Sequence, residues 1–352
     1  MKESQNIITI IGCSGFIGSH LLERILNTTK AFVYGIDLNS KKIQPFISNS
    51  RFEFLKTDIS DIKSIKPVLQ KSSIVVSLTA LCNPSLYNTV TLKVIESNYN
   101  KPVEIVKLCC EYGCRFIHFS TCEVYGRTVE SYCRESTLES VLKEDETPFV
   151  TGPIHMQRWS YSSAKQLLER TIFAYGVEHA LKYTIVRPFN FIGPRMDFIP
   201  GIDGEGIPRV LACFMDALIF NKPLFLVDGG KNRRCFTYID DAVDAVMAII
   251  KNKKIADKQV FNIGNPDNEI TIEQLAYKMI GLYKELQPQK TSSLYDVKPI
   301  SSLRFYGEGY QDCDRRVPDI SKAQSLLGWV PHTDLDTALK KTMSAYIEHY
   351  NG

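Results

Sequence analysis

Ile7-Ile8-Thr9-Ile10-Ile11-Gly12-Cys13-Ser14-Gly15-Phe16-Ile17-Gly18 decides the fold of this chain. Its first five residues are all β-branched, so they read as a strand apolar enough to be buried on both faces, as in a parallel sheet. Gly12-x-x-Gly15-x-x-Gly18 then turns the chain into an apolar-periodic helix, Phe16 to Leu26. The first glycine permits a tight turn, the second lets backbone approach a pyrophosphate, and the third lets the helix pack closely on the strand. The helix N-terminus adds attraction for phosphate charge. A second strand, Phe32 to Asp37, ends in an acid at the spacing where a carboxylate accepts hydrogen bonds from an adenosine ribose. That carboxylate would repel a 2′-phosphate, so the pattern favours NAD over NADP. Gly12, Gly15, Phe16, Ile17, Gly18 and Asp37 are the first expected cofactor contacts.

The alternation continues. Phe52 to Leu55 reads as a third strand, followed by Asp58 and Ile59 on the adenine side. Ile74 to Leu78 reads as a fourth, ending at Thr79-Ala80-Leu81-Cys82, with Leu78 and Ala80 beside the cofactor. Arg115 to Ser120 reads as a fifth, delivering Thr121, Cys122 and Glu123 to its end, where α/β sheets place chemistry. Strands separated by helical patterns imply an α/β fold, a Rossmann-type doubly wound parallel sheet. The helix Val94 to Tyr112 carries Asn98, readable equally as a strand-bracing amide or a cofactor contact. Residues 128–152 are polar and aperiodic and read as a long loop or lid over the site.

With 352 residues the chain exceeds the size at which single cores stop growing, about 250–300 residues. Two lobes are expected: a cofactor domain of residues 1–187 plus 238–264, and a smaller, discontinuous C-terminal substrate lobe of 188–237 plus 265–352. A charged content of 23% and a formal charge of +3, with Lys and Arg scattered, point away from nucleic acid and membrane surfaces. The apolar run at residue 7 is too short for a signal-peptide core. Ten irregularly spaced cysteines fit reduced thiols in a cytoplasmic protein better than disulfides, and without C-x-x-C or H-x-x-x-H no metal site is expected.

Tyr161 and Lys165 fall one turn apart on an apolar-periodic helix, Tyr161 to Tyr175, and so share a face. An ammonium beside a phenol stabilises phenolate, bringing a tyrosine down from about 10 so that it accepts an alcohol's proton. Thr121 would hydrogen-bond the same alcohol.

Gly12-x-x-Gly15-x-x-Gly18, Thr121-x-x-Val124-Tyr125-Gly126, Tyr161-x-x-x-Lys165 and Arg187-Pro188-Phe189-Asn190 together resemble the extended short-chain dehydrogenase/reductase family of nucleotide-sugar enzymes, over nearly the whole chain. Gln157-Arg158-Trp159-Ser160-Tyr161, Ile192-Gly193-Pro194-Arg195-Met196-Asp197 and Tyr306-Gly307-Glu308-Gly309-Tyr310-Gln311-Asp312 resemble those members that act on UDP-glucuronic acid. The resemblance implies NAD-dependent oxidation at C4 and decarboxylation of the β-keto acid. Retro-aldol and aldol ring contraction to UDP-apiose would follow, with UDP-xylose as co-product. It also implies a homodimer through paired helices. A decarboxylase giving only the linear pentose is the alternative, ahead of a 4,6-dehydratase or a non-catalytic NAD-sensing module.

The same resemblance supplies roles. Glu123 would be a general acid/base, Arg316 would hold the carboxylate or steer protonation at C5, and Asp312 would orient Arg316. Tyr87 and Arg158 would contact sugar and carboxylate. Asn190, Arg209, Arg234 and Tyr310 would bind diphosphate and uridine, with backbone around Leu224 to Val227 reading the base. Cys82 and Cys122 stand on strand-end loops, and a thiol exchanges protons near neutrality where a serine does not. Both are therefore expected to be catalytic, with Cys122 directing the branched product. Cys109, Cys110, Cys114, Cys213 and Cys235 are expected in the core.

Overall fold

The computed structural model describes residues 6–127, 141–290 and 295–351. β1 (Ile7–Ile11), α1 (Phe16–Thr28), β2 (Phe32–Asp37), β3 (Phe52–Lys56), α2 (Ile62–Leu69) and β4 (Ile74–Ser77) follow in order. A continuous helical stretch comes next, in which a π-turn over Glu96–Asn100 joins α3 (Thr91–Ile95) to α4 (Lys101–Glu111). After it come β5 (Arg115–Phe119), α5 (Trp159–Glu178) and β6 (Tyr183–Pro188). The chain continues through β7 (Phe191–Ile192), α6 (Val210–Phe220), β8 (Leu224–Val227), β9 (Arg233–Cys235), β10 (Thr237–Tyr238), α7 (Ile239–Lys251) and β11 (Gln259–Ile263).

The main sheet has the order β11-β6-β5-β4-β1-β2-β3, and every neighbouring pair is parallel. Strand order reverses at β1, which lies between β2 and β4, so a ligand crevice opens outside the carboxyl ends of these strands. Successive β1 side chains reach opposite faces. Ile8 and Ile10 join Leu21, Leu22 and Ile25 of α1 and Val246 and Ile249 of α7, whereas Ile11 joins Ile65 of α2, Ile105 of α4 and Leu168 of α5. Each such buried side chain stabilises the fold by about 1.5–3 kcal/mol. Thr9 is buried as well, and its hydroxyl is satisfied by that of Ser72 at 2.6 Å.

Beyond β11 come β12 (Glu269–Thr271), α8 (Ile272–Leu286), β13 (Val297–Ile300), α9 (Ser302–Tyr306), β14 (Arg315–Arg316), α10 (Ser321–Leu327) and α11 (Leu335–Asn351). They complete small sheets, β12-β9-β14 and β13-β8, on the substrate side. Among the described residues, no helix is long and apolar enough to cross a membrane.

The expected lid resolves differently. Residues 128–140 of it lie outside the described residues, and the remainder is a pinned strap. Leu142 N–H donates to Val317 O at 2.8 Å, Asp319 N–H donates to Leu142 O at 2.9 Å, and Arg127 N–H donates to Val150 O at 2.7 Å. Glu144 accepts the Asn262 N–H at 2.7 Å. This stretch therefore ties the turn after β5 to the segment after β14, which sequence polarity alone could not reveal.

Candidate active site

Gly12 has φ +88°, a value that only glycine adopts freely, and its N–H donates to Ile36 O at 2.8 Å, holding the loop against the end of β2. A Cβ at Gly18 would stand 2.1 Å from Gly12 O, so the third glycine is the close helix–strand contact that its spacing predicts. Asp37 accepts the Ser14 N–H at 2.8 Å and the Leu38 N–H at 2.7 Å. Burial raises its pKa, and these hydrogen bonds oppose that. Leu78 backs the loop, 3.2 Å from where a Gly12 Cβ would lie. Ile59 and Ala80 follow β3 and β4 at the same sheet edge. Asp58 is already engaged: two hydrogen bonds from Ser60 and one from Lys101 at 3.0 Å hold its pKa near about 2. A loop closed to side chains beside a helix N-terminus and a strand-end acid fits a dinucleotide, with Phe16 and Ile17 opening the helix. Asn98 takes the bracing role, donating to Leu81 O at 3.0 Å and Val94 O at 2.8 Å and so fixing the loop that carries Cys82.

Thr121 caps the turn after β5 by accepting the Glu123 N–H at 3.1 Å, and it hydrogen-bonds the Tyr161 phenol. Tyr161 stacks on Tyr87 with centroids 5.2 Å apart. The expected acidified phenol is absent from the protein alone. Burial holds the Tyr161 pKa well above the ordinary range, Cys82 and Glu123 add to that, and Thr121 opposes it. Lys165 is buried too, donates to Phe119 O at 3.0 Å, and is lowered by burial to about 8. The pair is dry, and desolvation outweighs attraction for both groups.

Period-two alternation sorts the arginines of the small sheet. In parallel register, Arg234 of β9 lies beside Arg316 of β14, and Arg233 lies beside Arg315. Arg233 and Arg315 both pair with Glu269 on one face, at 2.8 and 2.7 Å. Arg234 and Arg316 point the other way, buried, towards Glu123 and Asp312. Arg158 joins them, bonding Glu123 at 2.8 Å and lying 3.7 Å from Asp312. Asp312 was expected to orient Arg316, but its hydrogen-bonded partner is Arg234 at 2.8 Å, and Arg316 stays 3.7 Å away. Burial alone would raise the Asp312 pKa; the three arginines hold it well below the usual carboxylate range. Three guanidinium groups thus face two carboxylates. Nε and Nη1 of Arg158 and Nε and Nη2 of Arg316 are buried without a hydrogen-bond partner among the described residues, and three cations against two carboxylates suit an anionic ligand.

These groups line one end of a cavity of about 600 Å³ whose wall also includes Cys82, Asn190, Arg209, Val227 and Tyr310. Asn190 donates to Cys235 O at 3.0 Å, and Arg209 forks onto Asp197 at 2.9 and 2.8 Å. Tyr310 stacks on Tyr306 at 4.1 Å and donates to Asp312 at 3.2 Å.

Two expectations about cysteines change, and β8 supplies a contact of its own. Leu224 turns its side chain into the core and its N–H to Asp296 O at 2.8 Å; its neighbour Phe225 faces the cavity, because adjacent strand residues point to opposite sides. Cys213 lines the cavity instead of the core and is half-buried, its pKa pushed up to about 12 by burial. Cys110 is likewise only partly buried, while Cys109, Cys114 and Cys235 are buried. The two thiols expected to act together are also unlike. Cys82 stands on the open cavity wall, whereas Cys122 packs with Val124, Tyr125, Leu142 and Phe189, and burial pushes its pKa up to about 11. Sequence reasoning missed the aromatic wall of Phe225, Phe305 and Tyr306; the consecutive Phe305-Tyr306 was the available signal.

Residues 8–264 match the family described as the NAD dependent epimerase/dehydratase family. The UDP-D-apiose/UDP-D-xylose synthase of Oryza sativa subsp. japonica is 46% identical, over 96% of this chain and 88% of its own length. UDP-D-apiose/UDP-D-xylose synthase 1 of Arabidopsis thaliana is 44% identical over 96% and 90%. The crystal structure of PbgP3 protein from Burkholderia pseudomallei superposes with a TM-score of 0.83 at 32% identity, covering 98% of this chain and 97% of that one. With the glycine loop, the Tyr161–Lys165 helix and the parallel sheet all in place, this chain belongs to the NAD dependent epimerase/dehydratase family.

Proposed function

We propose that this enzyme uses NAD to oxidise and decarboxylate UDP-glucuronic acid, then divides the 4-keto intermediate between ring contraction to UDP-apiose and reduction to UDP-xylose. The observation that carries the reading is the buried cluster of Arg158, Arg234 and Arg316 with Glu123 and Asp312. Its guanidinium groups line the same cavity as the aromatic wall of Phe225, Phe305 and Tyr306. The relatives at 44–46% identity carry that activity in their names.

Arg158 and Arg316 would hold the C6 carboxylate through their guanidinium groups. Tyr161, hydrogen-bonded to Thr121, would take the C4 hydroxyl proton, with Lys165 behind it. Bound NAD would supply a hydride acceptor at C4 and a positive nicotinamide charge, which favours phenolate at Tyr161. The resulting β-keto acid loses CO2 because the electron pair left at C5 is an enolate. Glu123, 2.8 Å from Arg158, would return a proton there. Asp312 would keep Arg234 and, more loosely, Arg316 in position. Retro-aldol opening between C2 and C3 needs a further proton carrier, and Cys82 on the cavity wall is the thiol we place in that role. Cys122, enclosed by Val124, Tyr125, Leu142 and Phe189, would act less directly. Asn190, Arg209, Val227 and Tyr310 would contact diphosphate and uridine, and Tyr87 the sugar. The glycine loop with Asp37, Ile59, Leu78 and Ala80 would hold NAD, and Asp58 the adenine through what its Ser60 and Lys101 bonds leave free. The two-lobe division, a homodimer and a cytoplasmic location belong to the same reading and rest on the family resemblance.

A decarboxylase that yields only the linear pentose is the competing reading, favoured by one observation, the apolar burial of Cys122. Incubation with UDP-glucuronic acid and NAD⁺, followed by NMR of the sugar, decides. UDP-apiose or its cyclic phosphate is expected beside UDP-xylose, and UDP-xylose alone would select the competing reading.

A further inference from the structure

Lys42 has no part in the site as described, yet it joins its two halves. It lies in the 3-10 turn Lys41–Phe46 that follows β2. Its backbone N–H donates to the Ser14 hydroxyl at 3.3 Å, and the Ser14 N–H donates to Asp37 at 2.8 Å. Its ammonium crosses to another part of the chain and donates to Arg195 O at 2.6 Å and Met196 O at 2.7 Å.

The receiving segment is pinned along its length. Gly193 backs onto the start of α7, where a Cβ would lie 2.4 Å from Ile239, with the Phe16 ring of α1 beyond at 3.7 Å. Pro194 O is 2.8 Å from His20 Nε2. Arg195 reaches Glu23 at 2.6 Å and His20 Nδ1 at 2.9 Å. Arg195 has φ +62°, a left-handed conformation that is strained for a non-glycine residue and persists only where surrounding contacts enforce it. The next residue but one, Asp197, grips Arg209 on the cavity wall.

We propose that Lys42 is a cofactor-retention residue: its latch onto Arg195 and Met196 closes the 193–197 segment along the dinucleotide crevice and slows cofactor escape. The inference deepens the proposed function and rests on it. That reaction is redox neutral overall. UDP-glucuronic acid and NAD⁺ become UDP-4-keto-pentose, CO2 and NADH, the hydroxyl proton replacing the lost carboxyl at C5; the same hydride must then return to the same sugar. An enzyme that loses NADH midway releases a stranded keto sugar. A single ammonium held by two carbonyls, in the 3-10 turn that follows β2 and Asp37, makes escape require breaking two charge-assisted bonds.

The test is NADH release, followed by fluorescence when the loaded enzyme is mixed with excess NAD⁺. Lys42→Met keeps the aliphatic stem, and it should release NADH about tenfold faster, the change that about 1.4 kcal/mol produces. During turnover it should leak UDP-4-keto-pentose matched by free NADH. Lys42→Arg keeps the donors and should restore slow release. Because Lys42→Met also loses the bonds to Arg195 O and Met196 O in the cofactor-free protein, release is compared at a temperature where circular dichroism shows both proteins fully folded, separating retention from folding. Unchanged NADH release in Lys42→Met overturns the latch even if UDP-apiose is made. A parent protein that binds no NADH overturns latch and reaction together, and one that binds NADH but makes no UDP-apiose leaves the release rates to decide the latch.

Discussion

At the glycine loop, the groups that would meet a ligand are backbone, supplied by one contiguous run from Gly12 to Gly18. At the arginine cluster they are side chains gathered from the turn after β5, the start of α5, β9 and β14, and every member leans on another. Backbone recognition tolerates most changes of side chain and fails when a Cβ is added. A buried charge cluster tolerates almost nothing, because each ion is compensated only by its neighbours. Substitutions at the two ends should therefore fail differently.

Tyr161→Phe, midway between the ends, should have the largest effect on rate. Removing the proton acceptor should lower turnover by about 10²–10⁴-fold. NADH binding should be untouched, and UDP titrated by calorimetry should bind as before. If turnover survives within tenfold, Tyr161 is not the base.

Arg158→Met tests the cluster. It leaves Glu123 without its 2.8 Å partner, and stability should fall by about 3–5 kcal/mol at pH 7, read from urea midpoints. The pH dependence has a definite sign. The Asp312 pKa is depressed in the folded state, so its contribution is present above the ordinary carboxylate pKa, about 3.9, and is lost as pH falls through the lower folded value. Arg158→Met removes one of the cations that depress it, so in the variant this contribution should be smaller and its loss complete at a higher pH. A double variant with Glu123→Gln should recover part of the stability, since the unpaired charge is gone.

Gly18→Ala tests the backbone end. The new methyl would meet Gly12 O at 2.1 Å, so helix and strand must part, at about 1–3 kcal/mol. NADH affinity should drop with the distorted loop while UDP affinity holds. Equal loss of both ligands would mean that the two ends are one cooperative unit.

This difference also explains what could be read from the chain. The glycine spacing, the strand-end acid at Asp37 and the Tyr161–Lys165 pair are local patterns, and local geometry follows from them. The facing of Arg316 was legible only after β14 had been registered against β9, because its parity decides between the Glu269 face and the cavity. Phe225 was missed for the same reason: in β8 the parity that sends Leu224 into the core turns its neighbour to the cavity. The strap at 141–150 and the Lys42 latch depend on contacts between segments far apart in the chain, and a polar, aperiodic stretch carries no sign of which carbonyl it will meet. The missing acidity of Tyr161 is a matter of burial, which the spacing of two residues cannot report.

The smallest expected effect concerns the thiols. From sequence, Cys82 and Cys122 look equivalent: both follow strands of the main sheet, and both have the right chemistry. In the fold, desolvation raises the pKa of both thiols, that of Cys122 to about 11, and what separates them is access: Cys82 lies on the cavity wall, while Cys122 is enclosed by Val124, Tyr125, Leu142 and Phe189. A thiol so enclosed is neutral and cannot reach a sugar hydroxyl without displacing its neighbours. Cys82→Ser should therefore shift product from UDP-apiose towards UDP-xylose by roughly threefold, equivalent to about 0.7 kcal/mol between the competing steps, with decarboxylation continuing. Cys122→Ser should shift the ratio less and should instead cost about 1–3 kcal/mol of stability, because its hydroxyl enters an apolar cluster. Product ratios by NMR and melting temperatures for both variants check this together. If Cys122→Ser shifts the ratio more than Cys82→Ser at unchanged stability, the cluster around Cys122 opens during turnover, and the branch is controlled from beneath the cavity wall instead of on it.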